Sequence, residues 1–112
     1  MKILAGAALL IVASGAMAQD VTFDQYEAVI EAGATHAERC KREVRLDDIG
    51  ERCDSFFEYM RINSEITDGF LESAQREGDS VFKDVSTARR VQHRHYREQL
   101  ATDSAYIVEM MQ

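Results

Sequence analysis

The sequence predicts an all-α protein: a small antiparallel bundle of three helices, or four if the last one divides, built on a disulfide-stapled helical hairpin and preceded by a cleavable signal peptide. Three observations predict it. The 112-residue chain contains no proline, so nothing forces a break in a long helix. Apolar residues recur at steps of three and four over long stretches, the spacing of a buried helical seam. Cys40 and Cys53 stand symmetrically about a turn at Leu46-Asp47.

The leader comes first. Met1 and Lys2 give a charged start, Ile3 to Ala13 an apolar run, and Ala16-Met17-Ala18 the small residues a signal peptidase accepts. Cleavage is therefore expected after Ala18, with Gln19 as the new N-terminus. The run is shorter than the roughly 20 apolar residues of a membrane span, and no cysteine follows it to carry a lipid. The expected address is the periplasm. Residues 19–112 form one helical domain, with no further stretch of spanning length. All 20 acidic residues lie beyond the leader, so loss of Lys2 takes the formal net charge from −7 to −8. Nucleic acid and anionic membranes would be repelled by that charge, and neither is an expected partner.

A first helix is predicted from about Phe23 to Arg45, capped by Thr22 or Asp20. Its seam is Phe23, Tyr26, Ile30, Gly33, Ala37, Cys40 and Val44, with acids and bases between. Gly33 lowers helix propensity, but on the seam beside Ala37 it would let a neighbouring helix approach closely. Asp48 and Glu51 have the spacing of a capping box for a second helix from about Ile49 to Arg76. Its stripe is Ile49, Cys53, Phe56, Met60, Asn63, Thr67, Phe70 and Ala74. The polar Asn63 and Thr67, beside Asp68-Gly69, predict a kink or short break in the middle. Gly78 suits a left-handed C-terminal cap, and Asp79 or Ser80 the N-cap of a third helix running from about Val81 toward Met110. That third stripe, Val81 or Phe82, Val85, Ala88, Gln92, Tyr96, Leu100, Ile107 and Met110, is less regular, and Thr102-Asp103-Ser104 marks a place where it would divide.

The cysteines are expected to pair. In an oxidising compartment two cysteines allow one intrachain bond, and folding the chain at Leu46-Asp47 brings Cys40 and Cys53 face to face. Closing a loop of this length stabilises by about 3 kcal/mol in the chain-entropy account. A redox dithiol would use Cys-x-x-Cys spacing, which is absent.

Two constellations are candidates for function. The basic stretch Arg89, Arg90, His93, Arg94, His95 and Arg97 is conspicuous in an acidic chain. It suits recognition of an acidic surface or carboxylate, or internal charge balance against the acid-rich second helix with Glu51, Asp54, Glu58, Glu65, Asp68 and Glu72. Tyr26, Phe57, Tyr59, Tyr96 and Tyr106 are candidate anchors of a partner surface, Tyr59 and Tyr106 foremost, or ordinary core and core-edge packing. The second constellation is a zinc or copper set of His36, His93, His95 and Glu98. His95 and Glu98 share a helix face, but His93 and His95 point about 200° apart, and exposed histidines on a polar face are the simpler reading. No metal and no cofactor are expected. Gly-x-Ser-x-Gly, phosphate-binding glycine loops, His-Glu-x-x-His and haem-attachment motifs are all absent, so no enzyme reading emerges.

These features favour a non-enzymatic periplasmic protein-binding module: an inhibitor, immunity factor, assembly factor or chaperone-like accessory. Its partner would be another periplasmic or envelope protein, or a second copy. A metal-binding or stress protein and a structural subunit of an envelope complex are the alternatives.

Overall fold

The computed structural model describes residues 20–112; the expected signal peptide and the expected cleavage after Ala18 lie outside the described residues. Three α-helices and a short 3-10 helix make up the described chain: α1 (Phe23–Arg45), α2 (Glu51–Glu77), the 3-10 helix (Gly78–Phe82) and α3 (Thr87–Met110). It contains no strand among the described residues.

α1 has the predicted bounds and one of the predicted caps. Thr22 accepts from Gln25 N, and the Gln25 side chain accepts from Thr22 N, which completes a capping box. The helix ends at the turn through a Schellman motif. Asp48 N donates to Glu43 O and Asp47 N to Val44 O, with Asp47 in the left-handed region at φ 55°. An aspartate tolerates that conformation better than most residues with a Cβ.

The chain then returns antiparallel along α1. Cys40 and Cys53 form the predicted disulfide, Asn63 reaches back to Val29, and Ser73 receives Val21 N. The expected Asp48–Glu51 capping box does not form, and α2 begins at Glu51 behind Gly50, which contributes no side chain. The cap comes instead from α1. One carboxylate, Glu43, accepts from Gly50 N at 2.9 Å, Arg52 N at 3.0 Å and Cys53 N at 3.0 Å. These are the orphan donors of a helix N-terminus, met across the hairpin. Burial acts to raise the Glu43 pKa, but the three backbone donors and the charge of Arg52 outweigh it and hold the carboxyl below its usual range.

The expected kink or short break in α2 does not interrupt the helix, which runs unbroken from Glu51 to Glu77. Asn63 turns inward, 4% exposed, donating to Val29 O at 3.1 Å and accepting from Thr67 Oγ1 at 3.3 Å. The polar pair is thus satisfied without opening the helical ladder. Gly33 explains the access. It lies one turn beyond Val29, and a Cβ there would stand 3.0 Å from Asn63 Nδ2 and 3.2 Å from Leu100 Cδ2. Gly33 is where α2 and α3 both close on α1.

Gly78 ends α2 at a positive φ of 65°, as a glycine allows, but its ψ of −142° is not that of the expected left-handed helical cap. The third helix starts later than its stripe suggests. Residues 78–82 form the 3-10 turn, Asp84 takes φ 65°, and Ser86 caps α3 by accepting from Arg89 N. Phe82 serves the core from the turn, with its ring 5.7 Å from Phe23 and 6.0 Å from Phe70. Nor does α3 divide at Thr102-Asp103-Ser104. Asp103 points inward to Lys41 Nζ at 2.8 Å, which fixes that turn against α1.

α3 runs parallel to α1, as contacts from Glu27 to Arg89 and from Lys41 to Asp103 show. Both α2 and α3 pack along α1 and scarcely against each other. α1 is therefore the central rod, and the seam between its two neighbours stays open. No helix of the described residues is long and apolar enough to cross a membrane.

Candidate functional site

The open seam forms a cleft of about 290 Å³ at the end where the N-terminus of α1, the C-terminal half of α2 and the first half of α3 meet. Its floor and walls are aromatic. Phe23 and Tyr26 come from α1, Phe70 from α2 and Phe82 from the 3-10 turn. Tyr26 stacks on Phe70 at 4.5 Å, and Phe23 meets Phe70 edge-on at 6.2 Å. Leu71, half exposed, extends the apolar wall onto the surface.

Arginines form the other wall. Arg90, Arg94 and Arg97 recur at steps of four and three along α3, so they share one face, and all three line the cleft. Arg90 lies over the Phe82 ring at 4.3 Å, a cation–π contact. None of the three has a carboxylate in ion-pair range among the described residues. Arg89 behaves differently. It donates to both oxygens of Glu27 and to Asp24, at 2.7 to 3.1 Å, which raises its pKa through those hydrogen bonds. Charge balance within the basic stretch is therefore confined to Arg89, and its acids come from α1 rather than from α2. Arg89 fastens α3 to α1 and is not offered to a partner.

His93 corrects the sequence reading most. Taken there as a polar-face histidine, it is 6% exposed and sits in the floor of the cleft. Its ring meets Phe23 edge-on at 5.0 Å and Tyr26 at 4.7 Å. Neither ring nitrogen has a hydrogen-bond partner. Burial lowers its pKa, the Arg97 charge lowers it further, and Glu27 only partly opposes them. The imidazole is accordingly neutral at pH 7.

The metal set is not assembled. His36 stacks on Tyr59 at 4.7 Å, which places it about 15 Å along α1 from Tyr26 and His93 at 1.5 Å of rise per residue. His95 and Glu98 are exposed. Among the described residues no three His, Cys, Asp or Glu side chains gather closely enough for a metal ion. Of the proposed anchors, Tyr59 belongs to the His36 contact, where burial raises its hydroxyl pKa, and Tyr106 packs against the core. Neither joins the arginines. Of the candidate anchors Tyr26 does join them; Phe23, Phe70 and Phe82, which join them too, belong to seam or turn positions whose sequence signal is indistinguishable from ordinary core.

Fold and site together define a disulfide-stapled three-helix protein with an arginine-walled aromatic cleft. No protein-family model, curated protein or solved structure matches the chain.

Proposed function

We propose that the chain is an exported, non-enzymatic binding protein whose α2–α3 cleft receives an acidic amphipathic segment of another periplasmic or envelope protein. One observation carries this reading: three guanidinium groups stand in a row, with no carboxylate in ion-pair range among the described residues, beside a cleft lined by aromatic side chains. Guanidinium forks suit carboxylates, and an amphipathic helix laid into a groove between helices is a common recognition mode. Apolar side chains of the segment would pack at the mouth of the cleft on half-exposed Leu71 and the partly exposed Phe82 ring, while its acids meet Arg94 and Arg97. Beside the cleft the two helices are tied by Val21 N donating to Ser73 Oγ and Asn63 Nδ2 donating to Val29 O, contacts that lower the ordering cost of binding.

Site-specific photo-crosslinking tests the proposal. A crosslinker at Leu71, in cells of the source organism, is expected to capture an acidic segment of one envelope protein, with capture abolished by Arg94→Glu/Arg97→Glu. Capture insensitive to the charge reversal would refute the cleft as the binding surface. Capture of the chain's own second copy would reassign the function to self-assembly.

A further inference from the structure

The floor of the cleft holds a group whose chemistry the folded chain leaves unmet. A neutral imidazole carries one donor and one acceptor, and buried polar groups normally have partners. His93 has none on either nitrogen and is shut away from solvent. It is also the one cleft side chain whose unperturbed charge changes between about pH 5 and 8.

The groups that face it divide cleanly by element. From α3 come Arg90, Arg94 and Arg97, all cationic; from α1 come Tyr26 and Glu27. Glu27 is already committed to Arg89. The walls supplied by α2 and by the 3-10 turn, Phe70, Leu71, Ala74 and Phe82, carry no charge. The empty cleft therefore surrounds the imidazole with cations and apolar surface, and both favour its neutral form. An anion placed beside Arg97 works against them in two ways. It cancels the cation that opposes protonation, and it offers an acceptor for an imidazolium N–H.

We propose that the cleft is a proton-coupled carboxylate site, in which a ligand carboxylate lodges by Arg94 and Arg97 and His93 takes up one proton as it binds. The inference deepens the acidic-segment reading and rests on it: the carboxylate is an Asp or Glu side chain of that segment, adjacent to the apolar side chain that packs at the mouth of the cleft. Binding then tightens as the pH falls through the bound-state midpoint of His93 toward its lower free-state midpoint, because the bound state holds a proton that the free state does not. Each pH unit by which the ligand raises the His93 midpoint appears as a tenfold change in affinity. Reaching the ring requires the exposed arginine side chains to swing aside, and none of the three is held by an ion pair among the described residues.

The test follows the His93 Hε1 resonance of the oxidised protein through a pH titration. It is run alone, with saturating 3-phenylpropanoate, with 3-phenylpropanamide, and with a helical Glu/Leu peptide beside its Gln/Leu counterpart. Phenylpropanoate and the acidic peptide are expected to raise the midpoint by at least about one unit, and the amide and the neutral peptide to leave it in place. Arg97→Gln should weaken phenylpropanoate binding at least fivefold. His93→Phe should retain binding but flatten its pH dependence; should that variant fail to fold, the wild-type titration decides alone. A midpoint unmoved by the carboxylates, or moved equally by the amide, overturns the coupling. Tight binding of the acidic peptide with His93 unmoved overturns the coupling and spares the docking reading. Phenylpropanoate coupling without peptide binding does the reverse, and assigns the site to a small carboxylate. No binding of either carboxylate overturns both.

Discussion

Replacing Gly33 with alanine should destabilise the protein, against the sign that helix propensity alone gives. Alanine is favoured over glycine in a helix interior by about 1 kcal/mol. At this position the added Cβ would lie 3.0 Å from Asn63 Nδ2 and 3.2 Å from Leu100 Cδ2, inside the roughly 3.5–4.0 Å of comfortable contact. Neither neighbour yields freely. Asn63 is held by its bond to Val29 O at 3.1 Å, and Leu100 is 6% exposed. Overpacking costs about 1–3 kcal/mol, and a weakened buried hydrogen bond adds about 1 kcal/mol. Set against the propensity gain, the net loss is about 2 kcal/mol, or roughly 8–16 °C in Tm for a domain of this size. Urea unfolding followed by far-ultraviolet circular dichroism measures it, the midpoint falling at unchanged slope. A double-mutant cycle localises the cause: Asn63→Ala should cost less in the Gly33→Ala background than in the wild type, with a coupling of at least about 0.5 kcal/mol. A midpoint equal to or above wild type would refute the close approach of three helices at this residue.

Removing the staple with Cys40→Ala/Cys53→Ala, across a separation of 13 residues, should cost about 3 kcal/mol by chain entropy; a loss below about 1 kcal/mol in urea unfolding would contradict that account. Glu43→Gln should speed hydrogen exchange at the Gly50, Arg52 and Cys53 amides, and unchanged exchange would remove Glu43 as the cap. Because the folded protein holds the Glu43 carboxyl below its usual range, its stabilisation is complete above the ordinary carboxylate value of about 4.3. That stabilisation is lost as the pH falls through the lower folded value, so the Gln variant should lose this part of the acid sensitivity. Along α3, exchange should be the fastest of the three helices and should slow most there when the acidic peptide is added, as binding to the native state requires; uniform slowing would argue against the cleft.

The hairpin was legible in the sequence because its seam is written in apolar residues. Phe23, Tyr26, Ile30, Gly33, Ala37, Cys40 and Val44 follow the three-four rhythm without interruption, and every one of them is buried. α3 follows the same rhythm through His93, Tyr96, Leu100, Asp103 and Ile107, but two of its five positions are polar. A reading that counts apolar residues discards His93 and Asp103 and shifts the stripe to Gln92 and Ala88, which are exposed. The physical cause is tertiary. Asp103 is buried against Lys41 on α1, and His93 is held between two aromatic rings of α1. No window along α3 contains either partner. The cap of α2 was missed for the same reason: the local candidate Asp48 lost to Glu43, which precedes the turn and reaches across it.

The composition of α3 also accounts for the cleft. A helix whose inward positions include an imidazole and a carboxylate has only enough apolar surface to cover one neighbour, and α3 uses it on α1. Leu71 on α2, which a richer third helix would have covered, stays half exposed instead, while Phe70 beside it is covered by Tyr26, Phe23 and Phe82. The charges repeat the pattern. Arg89 receives two carboxylates from α1, whereas Arg90, Arg94 and Arg97 receive none among the described residues of a chain that has 20 acidic residues. Internal charge balance would have placed some of those acids opposite the arginine row. Their distribution elsewhere leaves the row without an ion-pair partner among the described residues, the feature on which the proposed function rests.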